Sequence, residues 1–125
     1  MVDALTHLTF QHHRAGDAVE FYTGLVPDSA VTSRTPVGEG REVITFTLAG
    51  RPFIAADSPL VHAWDFSPAV SIFLTCDTTA EVDALFEALS QDGFVFMPVD
   101  DYGFNPRFGW CRDRFGVSWQ VAVTT

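Results

Sequence analysis

From Leu5 to Phe10 the side chains alternate, with Thr6, Leu8 and Phe10 on one side and Leu5, His7 and Thr9 on the other. That is the period of two a strand imposes. The period then changes: Ala18, Phe21, Tyr22 and Leu25 recur at i, i+3, i+4 and i+7, and Asp17-x-x-Glu20 reads as a D-x-x-E version of the capping box. A short amphipathic helix is predicted, ending near Gly24 to Pro27. Ala30 to Thr35, Glu42 to Ala49 and Pro52 to Ala56 read as three strands of an antiparallel meander. They are separated by a Pro36–Gly40 loop and a tight turn at Gly50-Arg51.

The pattern then restarts. Ala69 to Cys76 alternates as a strand, Thr78-x-x-Glu81 is a full capping box, and Val82, Leu85, Phe86 and Leu89 form a helical stripe. Gly93 stands where a C-cap glycine is wanted. Phe94 to Val99, Arg107 to Arg112 and Val117 to Val123 supply three more strands. One offset of 64 residues takes Phe21 to Leu85, Tyr22 to Phe86, Leu25 to Leu89, Leu8 to Ile72 and Phe10 to Leu74. The chain therefore reads as an α+β protein made by tandem duplication of a β-α-β-β-β module. The predicted boundaries are 1–57 for the first module, 58–68 for a linker loop and 69–125 for the second, together forming one domain.

Composition narrows the function. At 125 residues and 47% hydrophobic, the chain has the size and apolar content to bury one core. No apolar run approaches the ~18 residues a membrane span needs, and the N-terminus lacks the basic and apolar regions of a signal peptide, so a cytoplasmic protein is expected. A net charge of −9 argues against nucleic acid, because phosphate binding requires clustered cations. The chain has no Lys, which excludes Schiff-base and pyridoxal chemistry. Cys76 and Cys111, without C-x-x-C spacing, read as buried thiols and not as a disulfide framework.

The C-terminal stretch Arg107 to Val123, RFGWCRDRFGVSWQVAV, reads as a closing β-hairpin. It resembles the FGW-x-x-DRFGVSWQV ending of the PhnB-like branch of the vicinal-oxygen-chelate superfamily, which includes glyoxalases, bleomycin-resistance proteins and extradiol dioxygenases. FYTGL (Phe21 to Leu25), FTLAGRPFIAADSP (Phe46 to Pro59) and VSIFLTCDT (Val70 to Thr78) extend the resemblance over nearly the whole chain. It implies paired β-α-β-β-β modules whose curved mixed sheet forms a cup with ligands inside.

The resemblance also implies where a metal would sit, since metal enzymes of the superfamily take one ligand from the first and one from the last strand of each module. His7, fourteen residues before Phe21, matches the first-strand histidine, and Gln120, counted from Asp113, matches the glutamate of the last strand. The offset gives Ser71 and Ala56 as their partners. One strong donor falls short of the three or four a catalytic metal uses, and Asp57 is one residue out of phase with Ala56, which turns it to the opposite face.

The expected function is therefore small-molecule binding without a catalytic metal or other cofactor. The ligand-binding residues would be His7, Thr9, Ser71, Phe73, Tyr102, Trp110 and Gln120; if a metal is held, His7 and Gln120 hold it. The alternatives are a metal-dependent glyoxalase- or dioxygenase-type enzyme and a drug-sequestering resistance protein. Sequences of this branch are sometimes labelled ubiquinone-pathway methyltransferases, but no glycine-rich strand-to-helix turn suited to S-adenosylmethionine is present.

Several further expectations concern partners and loops. A homodimer is expected, since each module leaves an edge strand unpaired. Asp100 to Arg107 reads as the ligand-contacting loop; Arg107 and Arg112 read as paired with Asp100 and Asp101, with anion binding as the alternative. Trp119 is expected to pack beneath the helices, and His12, His13 and His62 to lie in solvated loops. The helix phase is testable: Phe86→Ala should cost about 3 to 5 kcal/mol as the loss of a large buried ring, whereas Glu87→Ala should stay within about 0.5 kcal/mol of wild type. Equal costs in chemical denaturation would show the phase to be wrong.

Overall fold

The alternation and the two helical stripes become two separate α+β units in the computed structural model, which describes residues 1–125. The units are Met1–Ala63 and Trp64–Thr125, divided inside the 58–68 segment. The first contains β1 (Thr6–Phe10), α1 (Ala15–Leu25), β2 (Ala30–Gly38), β3 (Arg41–Leu48) and β4 (Arg51–Asp57). The second contains β5 (Ser71–Cys76), α2 (Thr79–Ser90), β6 (Phe94–Asp100), β7 (Phe108–Arg112) and β8 (Ser118–Val123). Each unit has its own four-stranded mixed sheet, in the orders β1-β4-β3-β2 and β5-β8-β7-β6. In each, the first and last strands pair in parallel and the others antiparallel.

Strand register carries the duplication more strictly than the apolar pattern does. His7 pairs with Ile54, Leu8 with Ala55, Thr9 with Ala56 and Phe10 with Asp57. Moved by the same offset, these become the observed pairs Ser71 with Ser118, Ile72 with Trp119, Phe73 with Gln120 and Leu74 with Val121.

Each sheet buries the face its helix covers. Beneath α1 lie Leu8, Phe10, Ile44, Phe46, Leu48, Phe53 and Ala55, with the Phe46 and Phe53 rings stacked at 5.4 Å. In the second unit α2 packs on β7 and β8, and Leu74, Cys76, Cys111, Trp119, Val121 and Val123 are buried. Trp119 is fully buried, as strand alternation requires when Gln120 faces the other way. Phe86 is buried at the centre of the α2 stripe and Glu87 is exposed.

Several sequence expectations are corrected. The first helix begins at Ala15, after an N-cap residue Arg14 that makes no side-chain cap. Asp17 and Glu20 therefore lie inside the helix and form no capping box. Its first amide is satisfied from the sheet instead, where the Asp57 carboxylate accepts from Ala15 N at 2.9 Å and from Glu42 N at 2.9 Å. The buried α1 stripe is accordingly Ala15, Ala18, Val19 and Tyr22, one turn earlier than the apolar spacing suggests. The second helix keeps its expected box, Thr78 with Glu81.

Three turns also differ. Pro36 to Gly38 belong to β2, because β2 is an edge strand and the missing Pro36 N–H costs no ladder bond there. The β3–β4 turn sits on Ala49-Gly50, both at positive φ, so that Leu48 pairs with Arg51. After α2 the positive-φ position is taken by Asp92; Gly93 serves close approach instead, since a Cβ there would overlap the Arg112 carbonyl oxygen.

The β7–β8 hairpin is closed by Asp113, which is 2% exposed. One carboxylate oxygen accepts from Phe115 N at 2.8 Å and Val117 N at 3.1 Å, and the other accepts from the buried Trp119 Nε1 at 2.7 Å. Asp113→Ala would strand that indole N–H, and the loss should be about 3 kcal/mol. Asp113→Asn, which keeps one carbonyl acceptor, should lose less. Urea unfolding checks both, and an alanine variant as stable as Glu87→Ala would overturn the assignment.

Candidate functional site

In the second unit the face turned away from α2 carries Ser71 and Phe73 of β5, Phe108 and Trp110 of β7, and Ser118, Gln120 and Ala122 of β8. Cross-strand pairing sets them in rows: Trp110, Gln120 and Phe73 form one row, with Phe108 and Ala122 beside it. Trp110 Nε1 donates to Ser118 Oγ at 2.9 Å, the Ser118 and Ser71 hydroxyls are 2.7 Å apart, and Gln120 Nε2 donates to Ser71 Oγ at 3.2 Å.

Beside this polar chain stands an aromatic cluster centred on Phe108. Phe104 meets it edge-on at 5.0 Å, Tyr102 at 6.0 Å, and Phe73 lies at 6.4 Å. The loop bearing Tyr102 and Phe104 is tied down: Tyr102 Oη donates to Pro98 O at 2.6 Å and Asn105 Nδ2 to Val123 O at 2.9 Å. Phe73 and Phe104 nevertheless remain 55% and 67% exposed.

Of the expected ligand-binding residues, Ser71, Phe73, Tyr102, Trp110 and Gln120 therefore occur together in this unit. Ser118 joins them without having been singled out by the sequence pattern, as do Phe104 and Phe108, rings that the sequence leaves as either core or pocket wall. The signal for two of them lies in the period of two, since Ser118 and Phe108 each precede a candidate on the same strand by two residues. His7 and Thr9 are neighbours in the first unit, Thr9 Oγ1 lying 3.4 Å from His7 Nδ1, on the face away from α1 with Ile54 and Ala56.

Asp57 faces the helix and is committed to backbone amides, so it is no ligand on that face. In neither unit do three His, Cys, Asp or Glu side chains gather. His12 and His13 are exposed residues at positive φ. His62 is anchored more firmly than a solvated loop residue would be: its Nε2 lies 2.7 Å from Ser58 Oγ and its amide donates to Gln11 Oε1 at 2.6 Å.

Electrostatics around the loop also departs from expectation. Arg107 pairs with Asp83 on α2, at 2.8 Å through Nε and through a terminal nitrogen, and not with Asp100 or Asp101. The hydrogen bond to Asp83, helped by its charge and that of Asp100, raises the Arg107 pKa. Arg112 lies over the Phe94 ring at 5.5 Å. In the first unit the hydrogen bond from Arg34 holds the Glu42 carboxyl below its ordinary value. Burial raises both thiols, with the Glu81 and Asp77 charges adding to Cys76 and the Asp113 charge helping to push Cys111 up to about 12.

Two β-α-β-β-β units, each with one helix on one face of a mixed sheet, define the glyoxalase/bleomycin-resistance class of fold. The same fold is seen in a glyoxylase/bleomycin resistance protein/dioxygenase domain from Frankia sp. EAN1pec, 15% identical over 100% of this chain and 94% of that one, at a TM-score of 0.68. It is seen again in protein PA1353 from Pseudomonas aeruginosa, 24% identical over 98% of both chains, at 0.81. Residues 3–122 match the family described as 3-demethylubiquinone-9 3-methyltransferase, and the chain belongs to this PhnB-like family. A Bacillus cereus protein whose description carries the same methyltransferase name and the name PhnB is 38% identical, over 98% of this chain and 100% of that one, at a TM-score of 0.93. No curated protein matches the chain. No helix is long and apolar enough to cross a membrane.

The thiols provide a check on the burial of the second sheet. Because the folded Cys111 pKa lies above the ordinary 9.0, its contribution to stability is complete below about pH 9 and is lost as pH rises toward 12. Native protein at pH 8 should resist iodoacetamide at both cysteines and react at both in urea; fast native labelling of Cys111 would contradict this burial.

Proposed function

We propose that this protein binds a small organic molecule on the aromatic face of its C-terminal unit, and does so without a catalytic metal. The observation that carries this reading is the row Trp110, Gln120 and Phe73, where half-covered aromatic rings flank a polar side chain that the fold has not saturated. Concave or bare apolar surface with a few convergent polar groups is the usual make-up of a ligand site. A loop pinned by Tyr102 and Asn105 adds Phe104 to the same surface at little cost in mobility.

The donor set argues for the metal-free form. On the faces turned from the helices, the first and last strands of the two units offer one imidazole, His7, and one amide, Gln120, at the positions the superfamily uses. Neutral serine and alanine complete the set, and three or four nitrogen, sulfur or carboxylate donors are needed for a catalytic divalent metal.

Methyl transfer of the kind named in the family description draws its methyl group from S-adenosylmethionine, and the residues here do not fit that group. The strand-to-helix connections are Gln11–Arg14 and Asp77-Thr78, neither containing glycine. One amide at each helix start is already taken, Ala15 N by Asp57 and Glu81 N by Thr78, and neither connection supplies the glycine-built loop that brings helix N-terminal amides around an anionic ligand.

The neutral dye N-phenyl-1-naphthylamine should gain fluorescence on binding, and Phe73→Ala should weaken its binding about tenfold, as a lost ring contact would. Unchanged binding in Phe73→Ala would place the site elsewhere. Equilibrium dialysis against zinc, nickel and manganese should show no stoichiometric uptake, and tight uptake would overturn the metal-free reading. The same reading includes a homodimer, because β2 is an unpaired edge with all nine residues exposed and edges of that kind are covered in stable proteins. Sedimentation at micromolar concentration should give twice 13.8 kDa; the monomer mass would sink it.

A further inference from the structure

Resting on that reading of the aromatic face, we infer that its ligand is an uncharged, planar molecule whose polar edge carries an acceptor beside a donor, as a carboxamide does. Proton accounting in the polar chain leads there. Ser118 Oγ accepts from Trp110 Nε1 and is 2% exposed. A buried hydroxyl hydrogen is paired wherever a partner is in reach, and its partner is Ser71 Oγ at 2.7 Å. Ser71 Oγ therefore accepts twice, from Ser118 and from Gln120 Nε2. Its own hydroxyl hydrogen remains to be given away, and Gln120 Oε1 accepts nothing within the fold. Both residues are half-buried, so the outward face of the chain presents one donor next to one acceptor.

Charge is absent from this face of β5 and β8, whose outward residues are Ser71, Phe73, Thr75, Ser118, Gln120 and Ala122. On β7 the charged residue nearest in register is Arg112, which pairs with Ser118 and lies over the Phe94 ring at 5.5 Å; Asp113 is committed to Trp119 and the hairpin amides. Ser71 and Gln120 offer an ion no countercharge of their own, so an anion or a cation would lose hydration against these two groups without an ion to replace it, and the net charge of −9 further opposes an anion. Trp110 and Phe73, flanking Gln120 in one cross-strand row, suit a flat ring system whose edge reaches the amide.

Four probes sharing one ring system separate the possibilities: naphthamide, naphthoate, naphthylmethylammonium and naphthalene. Binding is read by calorimetry and by the shift of the Trp110 indole N–H resonance, assigned with Trp110→Phe. Naphthamide should bind about tenfold more tightly than naphthalene and than either charged probe, the gain expected from one or two neutral hydrogen bonds. Gln120→Leu and Ser71→Ala should each abolish the advantage of naphthamide over naphthalene. Naphthoate or the ammonium binding as tightly as naphthamide, or no advantage of naphthamide over naphthalene in the wild type, would overturn the assignment of ligand class while leaving the aromatic face as the site. If no probe moves the Trp110 resonance, the aromatic-face reading fails and this inference falls with it.

Discussion

One helix on a four-stranded sheet can cover only one of its two faces, and the rest of this structure follows from that constraint. Because strand side chains alternate, the covered face is apolar at almost every second position, from Leu8 and Phe10 in the first unit to Trp119 and Val121 in the second, with Asp57 the exception. The alternate positions escape the helix and are released from the need to be apolar. In the second unit they carry the serine hydroxyls, the Gln120 amide and a group of aromatic rings. The candidate site is what the fold leaves uncovered.

The two units solve the same local problem in different ways. Each needs its helix N-terminus satisfied, and position 14, which corresponds through the offset to Thr78, is an arginine that makes no side-chain cap. The first unit supplies the missing acceptor from Asp57 on β4. In the second unit, where Thr78 caps its own helix, the residue corresponding to Asp57 is Val121, buried among apolar neighbours. A carboxylate that costs free energy to bury is kept only where backbone amides need it. Asp113 follows the same rule in the β7–β8 hairpin, and neither acid remains available to a ligand.

This division of labour supports the reading proposed above over the methyl transfer in the family's description. One amide of each helix start is held by a side chain, and the buried carboxylates accept from backbone and indole N–H groups. On β1, β4, β5 and β8 the uncovered faces carry hydroxyls, an amide, rings and a single imidazole, and no carboxylate or guanidinium. In the reading proposed above, such a surface would recognise shape and hydrogen-bonding pattern.

The sequence by itself determined the elements that rest on local periodicity: eight strands, two helices, the duplication offset, the phase of Trp119 against Gln120 and the self-capped start of α2. These are set by which neighbours along the chain share a face. The opening of α1, the close approach at Gly93, the partner of Arg107 and the anchoring of His62 depended on residues far apart in the sequence, Asp57, Arg112, Asp83 and Gln11. The same holds for the site. The family resemblance singled out Gln120, the duplication offset Ser71 and the aromatic C-terminal stretch Trp110, but only the pairing of β5, β7 and β8 put them in one hydrogen-bonded chain with Ser118, because a position along the chain places a side chain on a face and says nothing of which strand lies beside it.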